Sequence, residues 1–290
     1  DGLTGDLEIV GVIPRRSDVW GRIGKGLRGV VDFTRFLDPR YKNAPVLRAR
    51  MKRKVLPIAF RFLDWVPAMS VSSVRRMLSI FSHLERSIPS SHELEAFVSR
   101  HRPDVVIVSP LIDAASDQVD LVKSAKALGI RTGVCIASWD NLTNKGLLRI
   151  KPDLVFVWNE IQRREAVEFH GVASDGVAVT GAQLFDRWFE RRPSRSYSEF
   201  YTDVGLDSDR PFVLFTCSSG FISQSQRELP FVRAWIEALR GSEDRRVRAL
   251  GVLIRPHPYN TAAWETADLS DLPGVAIWPR RRYNPVAERQ

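Results

Sequence analysis

Apolar positions recur at three- and four-residue spacing through the first third of the chain. Val30, Val31, Phe33, Thr34 and Leu37 form one such run, and Val55, Ile58, Phe62 and Val66 another. This spacing gathers side chains on one face of a helix, so helices are expected from about Ser17 to Arg100. Pro39, Pro45, Pro57, Pro67 and Pro89 lack an amide donor and divide that stretch into short pieces. The period changes after Arg102-Pro103-Asp104. Val105-Val106-Ile107-Val108 is apolar without alternation, which predicts a buried strand, and Asp117–Leu128 predicts a helix closed by Gly129.

The cycle then repeats, with strands at Thr132–Ala137, Asp153–Val157 and Val177–Thr180 and a helix at Glu160–Phe169 ending before Gly171. Strands alternating with helices predict an α/β fold with doubly wound parallel sheets, helices lying on both faces. Arg191-Arg192-Pro193-Ser194-Arg195-Ser196 is polar and contains proline, as a linker does. A first domain over 1–190, a linker over 191–210 and a second domain over 211–290 are therefore expected. The second domain reads as a strand at Phe212–Thr216, a helix at Ser225–Arg240, and strands at Ala249–Ile254 and Val275–Trp278. One helix cannot cover both faces of three parallel strands, so this domain is expected to be cut short. The opening Asp1-Gly2-Leu3-Thr4-Gly5-Asp6 has neither an initiator Met nor a signal pattern, which predicts a fragment.

With hydrophobic residues at 44% and charged residues at 27%, general disorder is excluded. No apolar run approaches the roughly 18–20 residues of a membrane-spanning helix. The net charge of +9 is local, because residues 1–100 hold 18 Lys/Arg against 10 Asp/Glu. Solvated helix faces are the expected use of that excess, with peripheral membrane contact through basic residues 15–61 as a further option. Phe33, Phe36, Phe60 and Phe62 fall on positions that helices bury, so no nucleic-acid stacking surface is expected. Cys135 and Cys217 lie in strand-like segments, which predicts buried free thiols and a reducing cytoplasm.

Gly24-Lys25-Gly26-Leu27-Arg28-Gly29 fits the G-x-G-x-x-G pattern but follows a basic polar stretch rather than a strand, and Arg48, Arg50 and Lys52 stand near where an acid is needed. A dinucleotide turn is therefore not expected there. Strand ends are better candidates, because open parallel sheets bind ligands beyond the carboxyl ends of their strands. Three loops follow such ends. Trp139, Asp140 and Asn141 belong to a loop dense in donors and acceptors, read either as a ligand loop or as Asx turns. Ser218, Ser219 and Gly220 are small enough to bring backbone amides close to a phosphate. Arg255-Pro256-His257-Pro258 offers a bidentate cation and a proton carrier on a stiffened turn. The five histidines show no metal-ligand spacing, and no metal or cofactor is expected.

These segments resemble GT-B-like nucleotide-sugar glycosyltransferases, near the CDP-glycerol glycerophosphotransferases and the UDP-N-acetylglucosamine 2-epimerases. The matching stretches are residues 27–37, 138–142, 179–186 (Val-Thr-Gly-Ala-Gln-Leu-Phe-Asp) and 254–258 (Ile-Arg-Pro-His-Pro). The resemblance implies two Rossmann-like domains, both incomplete here, an acceptor side in the first, a nucleotide donor in the second, and catalysis between them. It gives Arg255 and His257 a donor-phosphate role, with His257 catalytic, and places Gly181 and Asp186 near the crossover. A ribose-binding acid and Gly-rich loop typical of such proteins are not found, and residues 283–290 resemble the segment leading to them.

The expected function is transfer of a sugar or polyol phosphate from a nucleotide-sugar or CDP-polyol donor to a glycan or lipid-linked acceptor, in cell-envelope biosynthesis at a cytoplasmic or membrane-associated site. Two alternatives stay open: a nucleotide-sugar 2-epimerase on the same fold, and a non-catalytic membrane-surface or assembly protein.

Overall fold

The computed structural model describes residues 8–52, 70–112, 116–220 and 222–280. The expected run Val55–Val66 with Phe60 and Phe62, basic residues 53–61, Phe221 and the terminal segments lie outside them. The chain forms two compact units, Asp1–Phe189 and Glu190–Gln290. Both are α/β, and each is built on a parallel sheet.

The first unit opens with helices α1 (Val19–Arg35), α2 (Pro45–Lys52), α3 (Val71–Ser87) and α4 (His92–His101). Strands β1 (Val105–Val108), β2 (Arg131–Cys135), β3 (Leu154–Val157) and β4 (Val177–Val179) follow, paired in that order. Between them run α5 (Gln118–Ala127), α6 (Asn141–Asn144) and α7 (Glu160–His170), and α8 (Asp186–Glu190) ends the unit. Register sets Val108, Val134, Val155 and Val177 in one row, and these pack with Val122 of α5 and Ala166 of α7. The sheet order never reverses, so right-handed crossovers keep the connecting helices on that side. The opposite row is open. Val105 and Ile107 are 48% and 54% exposed, and with Leu154 and Phe156 they line a cavity of about 630 Å³. The strand expected to be buried is thus covered on one face.

Charged groups fasten α1 to the rest of this unit. Arg28 donates to Glu85 Oε1 at 2.8 Å and to the two Asp120 oxygens at 2.7 and 2.8 Å. Asp32 accepts from the Leu147 amide at 2.9 Å and pairs with Arg149. Arg35 donates to the carbonyls of Lys145, Gly146 and Leu142. Arg28 and Arg35 are buried, so part of the basic excess expected on wet helix faces instead sits inside with its partners, as buried charge must. Gly24 to Gly29 lie within α1, where the Arg28 guanidinium packs over Gly24, and form no turn.

The second unit contains α9 (Tyr197–Val204), β5 (Phe212–Thr216), α10 (Ser225–Arg240), α11 (Arg245–Arg248), β6 (Gly251–Arg255), α12 (Ala262–Glu265) and β7 (Val275–Ile277), with sheet order β5-β6-β7. Val213, Phe215, Val252, Ile254 and Ile277 pack with Val232 and Ile236 of α10 and Trp264 of α12. Phe212, Leu253 and Ala276 pack with Phe200 and Val204 of α9. More than the one helix expected therefore covers the sheet: the stretch expected to be a linker, 191–210, holds a helix that packs on the second face. Its start is a capping box in which Ser196 and Glu199 exchange side-chain and backbone bonds, and Gly205 ends it at φ 75°. The strands Val105–Val108 and Phe212–Thr216 have the expected bounds, and the other five differ at one or both ends by one or two residues: Ala249, for example, caps α11 rather than opening β6. Among the described residues no helix is long and apolar enough to cross a membrane.

Candidate functional site

Parallel pairing sets Thr216 beside Arg255, so the loops after β5 and β6 leave the same carboxyl edge. The Cys217 amide donates to the Arg255 carbonyl at 2.9 Å. Asn260 joins the two loops: its Nδ2 donates to the carbonyls of Ser218 at 2.9 Å and Ser223 at 2.8 Å, and its Oδ1 accepts from the Ser225 amide at 3.1 Å. Sequence reading stopped at Tyr259 and missed it. The available signal was an Asn closing a Pro-rich turn, where its side chain readily satisfies backbone groups.

Arg255 ends β6 with an exposed side chain, and among the described residues its guanidinium has no hydrogen-bond or ion-pair partner. His257 is half-buried, and its Nδ1 accepts from the Tyr259 amide at 3.2 Å, which leaves the proton of the neutral ring on Nε2. The Ser218 amide donates to the buried carboxylate of Glu228 at 2.7 Å and points to α10, whereas the Ser219 and Gly220 amides have no partner among the described residues. Ser219 also closes a turn, its carbonyl accepting from Ile222 and Ser223. Burial, with Glu228 adding to it, pushes the Cys217 thiol up to about 12, so it stays protonated and is no nucleophile. A cavity of about 530 Å³ adjoins these loops, lined by Gly220, Gln224, Gln226, Tyr259, Asn260 and Thr261 among others. Arg255 and His257 are not part of its wall.

The remaining expected residues stand at the carboxyl edge of the first sheet. Trp139 is 74% exposed. Asp140 accepts from Ser138 Oγ at 2.7 Å and Asn144 Nδ2 at 2.5 Å; burial opposes its ionisation, but these donors hold the carboxyl below its usual range. Asn141 is buried, its Oδ1 accepting from the Ala137 amide at 3.2 Å. Gly181 has φ 82°, a conformation that requires glycine, and exposed Asp186 opens α8. Trp158 and Gln162, not foreseen, connect these loops. Trp158 donates from Nε1 to the Ile136 carbonyl at 2.8 Å and meets Phe185 edge-on, while Gln162 donates to the Ser138 carbonyl at 3.2 Å. Among the described residues no cluster of three His, Cys, Asp or Glu side chains is placed to hold a metal ion.

No protein-family model matches the chain. No curated protein matches it either. Among solved structures it is similar to a UDP-N-acetylglucosamine 2-epimerase from Rickettsia bellii, at 12% identity and a TM-score of 0.39. The match covers 66% of this chain and 50% of that one, so the chain spans about half the length of that protein.

Proposed function

We propose that the carboxyl edge of the second sheet binds the phosphates of a nucleotide-linked donor, and that the protein is a GT-B-type transferase moving a sugar or polyol phosphate to a glycan or lipid-linked acceptor in cell-envelope biosynthesis. The observation that carries this reading is Arg255, whose guanidinium has no partner among the described residues, at the end of a strand paired with the one whose following loop holds Ser219 and Gly220, amides likewise without partners among the described residues. A fork of this kind grips phosphate oxygens in two parallel charge-assisted bonds. His257 would donate its Nε2 proton toward charge growing on the leaving phosphate, and the loop amides would share that charge. Ser218 serves by anchoring the loop through Glu228 and Asn260. Trp139, Asp140, Asn141, Gly181 and Asp186 form the acceptor side of the same reading, which calls for no metal or cofactor.

Titration of the full-length protein with UDP- and CDP-linked donors tests it. Arg255→Ala should weaken donor binding by roughly 1.5–3 kcal/mol, the worth of a hydrogen bond to a charged group, without changing the melting temperature. His257→Ala should lower turnover by about 10²–10³ and affinity far less. Unchanged affinity and turnover in both variants would remove the donor site from this edge. Product analysis separates transfer from 2-epimerisation, since only transfer releases the nucleotide in step with a new acceptor bond.

A further inference from the structure

The first unit holds a cavity of about 780 Å³ whose wall includes none of the carboxyl-edge residues of its own sheet described above. Its wall includes the end of α5, residues 147–151 ahead of β3 and the end of α7, all of which precede strands and so lie at the amino edge of the sheet; α3 and residues 87–90 complete it. Six cations line it, Arg75, Arg86, Lys123, Lys126, Arg149 and Lys151, and no carboxylate does. Two of them are buried. Lys123 donates from Nζ to the carbonyls of Glu85 and Ile88, both at 2.5 Å. Arg149 meets Asp32 through Nη1 alone, and its Nε and Nη2 are buried without a hydrogen-bond partner. Nearer the rim, Lys126 pairs with Asp153 at 2.5 Å and Arg86 donates to the Ser82 carbonyl at 3.2 Å, while Arg75 makes no hydrogen bond or ion pair among the described residues and acts on Asp38 only through its charge. Between the cations the wall mixes Ser79, Ser82, Ser87 and Ser90 with apolar side chains, among them Val31, Leu148 and Ile150.

We propose that this cavity binds a small anionic amphiphile, its phosphate-like head against the exposed cations Arg75, Arg86 and Lys151 and its apolar body along Val31, Leu148 and Ile150. Cations clustered on a wall that carries no carboxylate draw an anion into the space. The apolar part of the wall favours a ligand that also removes hydrocarbon from water over a bare phosphate.

Calorimetry on the full-length protein tests this with monomeric octyl phosphate, inorganic phosphate and octyl glucoside as probes. Octyl phosphate should bind at least roughly tenfold more tightly than either of the others, because each of them lacks one of the two interactions. Arg75→Glu with Arg86→Glu, both exposed and in no ion pair among the described residues, should cut that affinity by about tenfold or more while melting temperature and nucleotide-donor binding stay unchanged. Arg75→Lys with Arg86→Lys should largely restore it. Equal affinity for phosphate and octyl phosphate, indifference to the charge reversal, or binding only to vesicles of anionic lipid would each overturn the proposal.

Discussion

At the end of β6, Asn260 satisfies two carbonyls of a neighbouring loop and the first amide of α10 with one side chain. Replacing it with Ala leaves those groups without protein partners, so a loss of about 1–3 kcal/mol is expected, read as a lower melting temperature with faster exchange of the Ser225 amide. An unchanged exchange rate would show that Asn260 does not hold the loop. In the first unit, His170 is buried between the Leu148 amide, which donates to Nδ1 at 3.1 Å, and the Leu142 carbonyl, which accepts from Nε2 at 2.8 Å. Burial, reinforced by Arg35, lowers its pKa to about 3. The unfolded chain takes up this proton below about pH 6.5 and the folded one does not until about 3, so stability falls as pH drops through that window, by up to about 1.4 kcal/mol per unit. Urea denaturation at about pH 7 and about pH 5 should show this loss, and His170→Gln should lessen it. The charged residues themselves were easy to find in the sequence, but their partners were not. Arg28 and Asp120 are 92 residues apart and Asp32 and Arg149 are 117 apart, distances over which no local pattern carries information.

Elements with strong local signals were legible. The helix Ser225–Arg240 has the bounds expected from its apolar spacing, and the strand Phe212–Thr216 does as well. Helix α9 was missed although Ser196-x-x-Glu199 precedes its apolar face, because the neighbouring arginines and Pro193 made the segment read as linker. Ser196→Ala removes the cap and should cost about 1 kcal/mol, loosening the packing of Phe200 and Val204 on Leu253 and Ala276. Chemical denaturation would register the loss, and an Asp at the same position should recover most of it. The uncovered row on β1 and β3 was hidden for a different reason. A run of four apolar residues is the same whether one face or both are packed, and only the sheet order reveals that the helices share a side.

Across the whole molecule, alternation of strand and helix is enough to indicate two parallel sheets, and the rule that ligands gather at strand carboxyl ends points to Arg255, His257 and the hydroxyl loop. Pairing of β5 with β6 then makes the two loops leave one edge of the sheet. The amino-edge cavity was not legible, because its wall is assembled from residues between Val31 and Gly171 that belong to no common motif. Donor binding at the second sheet is tested most directly by hydrogen exchange of the full-length protein with and without a nucleotide-linked donor. Protection is expected in residues 217–226 and 255–262, and Arg255→Ala should abolish it at the donor concentration that saturates the native protein. Donor binding that leaves both segments unprotected, or that protects them equally in Arg255→Ala, would contradict a phosphate site at this edge.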